Sequence, residues 1–154
     1  MIWRLVDIFS SRLSVRESEA RRERIRQQIL GTSRSIQIPN FVYFNDQDLW
    51  TLYQHYDRLF FDQQLSNAVS DQGENALELR YSGRLRSSGG VTRRICYRNR
   101  PRFRFVIEIS RNILLQNFCI PGKTATVTGR VCEDRLDALM RIMEHELLHL
   151  AEYL

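Results

Sequence analysis

The sequence predicts an α+β domain, with helices at both ends and three strand-like runs joined by short links between them. Two helical segments carry apolar residues three and four apart, and the runs between them alternate apolar with polar residues. The chain has 154 residues, 43% hydrophobic and 27% charged, the length and balance of one globular domain.

Arg16–Leu30 is densely charged and helix-prone, with Ile25, Ile29 and Leu30 as its apolar stripe. Gly31 is placed to stop that helix, and Thr32–Asn40 reads as a linker. Residues 1–40 are therefore expected to form a charged helical arm and linker, and 41–154 the main domain. The arm reads either as a solvated helix docked on the domain or as a basic nucleic-acid-binding arm.

Asn45 or Asp46 can cap the next helix, where Leu49, Leu52, Tyr53, Tyr56, Leu59 and Phe60 fall on one face and Phe61–Leu65 closes the helix. Ala76–Tyr81, Val91–Tyr97 and Phe103–Ile109 are the predicted strands, and their short links favour an antiparallel meander. Ser110 can cap a short helix reaching Asn117, and Phe118–Arg130 reads as a loop. Asp134, or Glu133 beside it, starts a last helix with a continuous apolar stripe from Leu136 to Leu154.

Lys123 is the only lysine among 23 basic residues, and the net charge is +5. Arginine's planar fork suits phosphate and carboxylate, so nucleic acid is compatible with this balance. A coding bias that exchanges Lys for Arg explains the skew equally. Arg80, Arg84, Arg86, Arg93, Arg94 and Arg98 cluster about the predicted sheet and could track phosphates, with Arg84, Arg86, Arg93 and Arg94 as the candidates for nucleic-acid contact, or else they form the polar face of that sheet. The three cysteines, Cys96, Cys119 and Cys132, form no CxxC pair, which argues against a disulfide framework or a zinc ribbon. No apolar run approaches the roughly 18 to 20 residues that span a bilayer, and no secretory pattern opens the chain. A cytoplasmic or nucleoid-associated protein without a membrane partner is expected.

Two of the three histidines, His145 and His149, sit four apart on the last helix, within His145-Glu146-Leu147-Leu148-His149. Four residues is about one helical turn, so both imidazoles project from one side and can reach one metal ion. Zn2+ suits such a pair, and Glu146 is placed to take a proton from a metal-bound water and pass it to a leaving amine. A tetrahedral catalytic zinc needs a third protein ligand. Glu152 lies too far along the helix to share an ion with both histidines. His55 reads as an ordinary part-buried histidine, and Cys132 is no stronger a candidate.

From Asp46 to Leu154 the chain resembles the SprT-like family, the zincin-type metalloprotease domain of bacterial SprT proteins and of Spartan. The resemblance rests on Leu52-Tyr53 with Tyr56, Leu59-Phe60-Phe61 and Leu65, then Arg84-Leu85-Arg86-Ser87-Ser88-Gly89-Gly90. It continues through Phe105–Ser110 with Leu114-Leu115 to Leu139–His149. It implies a minimal zincin-like domain: an N-terminal helix, a three-stranded antiparallel sheet and a C-terminal HExxH helix. It further implies zinc-dependent hydrolysis of peptide bonds in protein substrates, including proteins bound to or crosslinked with DNA. His145 and His149 would be metal ligands and Glu146 the general base. The family's third histidine follows the HExxH helix, so the resemblance places that ligand beyond Leu154 and the domain as truncated there. The alternative is a non-catalytic zinc or nucleic-acid-binding module with a vestigial HExxH.

Overall fold

The computed structural model describes residues 13–154. The first helix, α1 (Val15–Thr32), starts from a reciprocal cap: the Glu17 N–H donates to Ser14 Oγ at 3.1 Å, and the Ser14 N–H to Glu17 Oε2 at 3.2 Å. The expected stop at Gly31 is passed by one residue, and Ser33 ends the helix. The Ser33 hydroxyl donates to Asp48 Oδ1 at 2.7 Å and accepts the Ile36 N–H at 2.8 Å. A side chain thus supplies the termination that glycine was expected to give. Ile25, Ile29 and Ile36 are fully buried and belong to the same core as the helices that follow. Burying each contributes roughly 1.5–3 kcal/mol.

Helix α2 (Asp46–Phe60) is capped by Asn45, with Asp48 closing the reciprocal bond. The Phe61–Leu65 segment, expected to close α2, instead turns and begins α3 (Gln64–Asp71). Asp62 and Gln63 take left-handed backbone, and the buried Asp57 carboxylate of α2 accepts the N–H groups of Leu65 and Ser66 at 3.0 and 3.1 Å. An acid on one helix therefore caps the next, a contact across eight residues that apolar spacing does not report.

The strands are β1 (Leu77–Ser82), β2 (Gly90–Cys96) and β3 (Phe103–Ser110), each within a residue of its predicted limits. The antiparallel meander is corrected: the order is β1-β3-β2, with β1 parallel and β2 antiparallel to β3. The link between Ser82 and Gly90 is long enough to pass over the end of β3 and leave a strand's width between β1 and β2. Ser110, at that end, holds it: its hydroxyl donates to the Leu85 carbonyl at 2.7 Å and its N–H to the Gly89 carbonyl at 2.8 Å. The Asn112 side chain adds bonds to the Gly83 and Leu85 carbonyls at 2.9 and 3.0 Å. Strand β3 becomes central, and its last six residues are buried.

Helix α4 (Arg111–Gln116) follows with Ser110 as its cap. The expected loop 118–130 contains the start of a second hairpin, β4 (Ala125–Val127) and β5 (Arg130–Cys132). Its turn is Thr128-Gly129, both at positive φ, the two-residue geometry that matches strand twist. Helix α5 (Arg135–Tyr153) is capped by Asp134, which also pairs with Arg26 of α1 at 2.7 Å.

One face of the sheet, carrying Leu77, Leu79, Phe105, Ile107 and Ile109, packs against α2 and α5 in the shared core. The opposite face carries a polar net in which Arg80 and Arg93 meet Glu108 while Arg80 and Arg104 meet Glu78. No helix of the described residues is long and apolar enough to cross a membrane.

Candidate metal and hydrolytic site

The site is built on the middle of α5 where it passes under β2. His145 and His149 come together: their Nε2 atoms lie 3.1 Å apart and their rings are edge-on, with centroids 4.7 Å apart. Two nitrogens bound tetrahedrally to zinc at about 2.05 Å would be about 3.3 Å apart, so the pair fits one ion with little adjustment. The same distance also suits an N–H···N hydrogen bond between two neutral imidazoles. The second ring nitrogen of His149 lies 3.2 Å from Glu152 Oε2. A proton on Nδ1 donated to that carboxylate leaves the Nε2 lone pair free, the usual arrangement of an oriented histidine ligand. Glu152 thus meets the outer nitrogen of His149, as its distance along the helix requires.

Glu146 is 3% exposed and lies beneath β2, against Gly90 and Thr92. The Thr92 hydroxyl donates to Glu146 Oε2 at 2.6 Å and also lies 3.1 Å from the Glu146 carbonyl oxygen. That bond fixes the carboxylate rotamer against the strand. Gly90 makes the approach possible: a Cβ there would lie 2.9 Å from both Glu146 Cγ and Ile142 Cγ2. Gly90→Ala is accordingly expected to cost roughly 1–3 kcal/mol and to displace Glu146. Urea denaturation measures the first effect, and stability equal to wild type would show that β2 yields freely.

The elements around the site are held from outside. Glu144 is buried one residue before His145, and Arg22 of α1 grips it at 2.5 and 2.9 Å. Tyr56 of α2 donates to the same carboxylate at 3.2 Å. The HExxH helix is therefore locked to two others on the face away from its histidines.

The remaining candidates lie apart. His55 stays on α2 with its Nδ1 3.1 Å from the Arg58 guanidinium, and burial together with Arg58 holds its pKa below the ordinary value. Burial pushes the Cys132 thiol up to about 11, which disfavours the thiolate a metal requires. Among the described residues no group of three His, Cys, Asp or Glu side chains could hold a metal ion.

The four candidate arginines do not form one surface. Arg84 and Arg86 are exposed on the link that crosses β3. Arg93 points to the open face and pairs with Glu108. Arg94 points to the helix side, its guanidinium 4.9 Å from the centre of the Phe103 ring and 5.2 Å from that of Tyr153. Adjacent residues of a strand face opposite ways, so a sequence pair is not a spatial pair.

Sequence reasoning missed Thr92 and the anchoring pair Arg22–Glu144. Neither has a local signal, because each joins residues far apart in the chain. Gly90 did have one, in the Gly89-Gly90 doublet at the start of a strand. Compared with family models, with curated proteins and with solved structures, the chain gives no match.

Proposed function

We propose that the chain carries the hydrolytic centre of a zinc-dependent metallopeptidase of the SprT-like, zincin type, with His145 and His149 as metal ligands and Glu146 as general base. The observation that carries this reading is the division of labour on one helical turn. The two imidazole nitrogens converge to 3.1 Å, while the intervening carboxylate is buried and oriented by Thr92. A purely structural His pair gives no reason to bury a carboxylate beside it.

Zinc held by His145 and His149 would act as a Lewis acid, activating water and polarising a carbonyl oxygen. Glu146 accepts the proton released as the nucleophile forms and delivers it to the departing amine. Thr92 keeps that carboxylate from rotating away during the transfer. Glu152 holds the His149 tautomer that leaves Nε2 free. Strand β2, which covers Glu146, is an edge of the sheet, so an extended polypeptide can pair along its free side next to the base. Protein is accordingly the substrate class, and DNA-associated protein is the narrower reading that the family resemblance suggests.

Two histidines alone hold zinc loosely, and the chain is expected to bind it weakly, through both imidazoles. Titration with zinc followed by equilibrium dialysis tests this. His145→Ala and His149→Ala should each abolish binding, and Glu146→Gln should leave it unchanged. Binding that survives both histidine variants would remove the metal centre altogether. A second reading, a non-catalytic module, is favoured by the lack of a third ligand among the described residues. It is the reading that remains if zinc binds but Glu146→Gln changes no hydrolysis.

A further inference from the structure

Positive charge is densest in one stretch of this sequence. Residues 93–104 hold six arginines in twelve positions and no acidic residue. The chain has 23 Lys and Arg against 18 Asp and Glu; without these six the balance is 17 to 18. One hairpin, β2–β3, therefore supplies the whole positive excess. A coding preference for arginine over lysine does not account for such a placement, since it changes the kind of base and not its position.

The structure separates these arginines by what they do. Arg93 and Arg104 are engaged by Glu108 and Glu78 on the open sheet face. Arg94 lies between the Phe103 and Tyr153 rings. Arg98, Arg100 and Arg102, on the turn between the strands, are exposed and form no ion pair among the described residues. Three exposed cations on one turn give it a local positive potential that attracts anions.

Aromatic faces lie among these charges. Tyr97 is 44% exposed, with the Arg100 guanidinium 6.0 Å from its ring centre, and Tyr153 is 40% exposed beside Arg94. A groove of about 820 Å³ runs between this turn and residues 72–76, and Tyr97, Arg100, Arg102 and Phe103 line it. Glu74 is the one carboxylate on its wall. Clustered guanidinium groups with interleaved π-faces beside a groove are what a chain of phosphates and unstacked bases requires. An acidic peptide would use the charges and leave the rings idle.

We propose that the β2–β3 turn is a binding site for single-stranded nucleic acid, with Arg98, Arg100 and Arg102 on phosphates and Tyr97 stacked on a base. This site goes beyond the hydrolytic reading and does not depend on it, since none of these residues touches His145, Glu146 or His149. It also differs from the set Arg84, Arg86, Arg93 and Arg94, which the fold disperses.

The test is fluorescence anisotropy of the whole chain with labelled oligothymidylate, oligouridylate and a duplex. Each probe should exceed the roughly 4 to 16 nucleotides that such a site covers. Affinity should fall steeply with salt for the single strands and be weaker for the duplex. Neutralising Arg98, Arg100 and Arg102 together to Ala should reduce the salt slope by about 2, at about 0.7 for each phosphate contact. Tyr97→Ala should lower affinity about 10-fold at an unchanged slope, and Tyr97→Phe should restore it, the signature of a lost and regained base stack. The DNA and RNA arms decide which strand is preferred. No binding to either single strand, binding indifferent to both sets of substitutions, or tighter binding to polyglutamate or anionic vesicles would each overturn the proposal.

Discussion

Glu146→Gln is expected to abolish measurable peptide-bond hydrolysis by the zinc-loaded protein, a loss of about 10²- to 10⁴-fold for removal of a general base. The substitution is close to isosteric, and the amide oxygen of the new side chain would still accept the 2.6 Å bond from Thr92. The residue would stay packed under β2 at 3% exposure, so the fold should not respond. What is lost is a carboxylate that can accept a proton. Release of peptide from an unstructured protein such as casein, followed with saturating zinc, reads the effect. Equal hydrolysis by wild type and variant, including none by either, would sink the catalytic reading for this chain. Thr92→Val separates orientation from chemistry: it keeps the base but removes its tether, and should lower kcat by less than Glu146→Gln does.

Arg135→Ala is expected to be strongly destabilising. Arg135 is 7% exposed at the first turn of α5, and its guanidinium donates to carbonyls of two other segments. Its Nε lies 2.9 Å from the Leu114 oxygen and its Nη1 2.9 Å from the Phe41 oxygen, with Asn117 accepting at 3.3 Å. The backbone N–H groups of Arg135 and Leu136 also reach the Asn40 side chain and the Pro39 carbonyl, both at 3.0 Å. Removing the side chain leaves several buried acceptors unpaired and a cavity among them. The expected loss is about 3–5 kcal/mol, as for breaking a buried charged network. For a chain of this size it corresponds to a fall of roughly 6 to 20 °C in Tm. Calorimetry on the variant checks it, and a shift of less than 2 °C, roughly 1 kcal/mol or less, would mean that water replaces the guanidinium freely. Arg135→Lys should recover only part of the loss, because one ammonium nitrogen cannot occupy the three positions from which Nε, Nη1 and Nη2 donate.

How far the sequence spoke for the fold depended on how local the cause was. The limits of β1, β2 and β3 followed from alternation, and the caps at Asn45, Ser110 and Asp134 from residue type, because each of these is set within a few residues. The order of the strands was not legible. Short links argue for neighbours, whereas β3 pairs with both β1 and β2, and bonds from Ser110 and Asn112 hold the link that crosses it. The β4–β5 hairpin had a signal only in Gly129, since the β-branched Thr128 beside it seldom takes the positive φ it adopts here, and the short flanking runs read as loop. At the site, His145 and His149 were legible because one helical turn fixes their relation. Thr92 was not, since it lies 54 residues from Glu146 in sequence. The arginines reversed the usual experience: Arg93 and Arg94 looked like one feature and are two, while Arg98, Arg100 and Arg102 gain meaning only once the turn places them together.

Strand β2 ends the sheet, and its outward N–H and C=O groups have no strand beside them among the described residues. The same edge that can receive a substrate strand can receive β2 of another molecule, and repetition of that pairing is how soluble proteins aggregate. Two adjacent arginines in the strand and a third two residues beyond its end would bring like charges together in any such stack. The charge on this hairpin therefore also keeps an open edge from closing on itself, leaving it available to chains that do not carry the same sign.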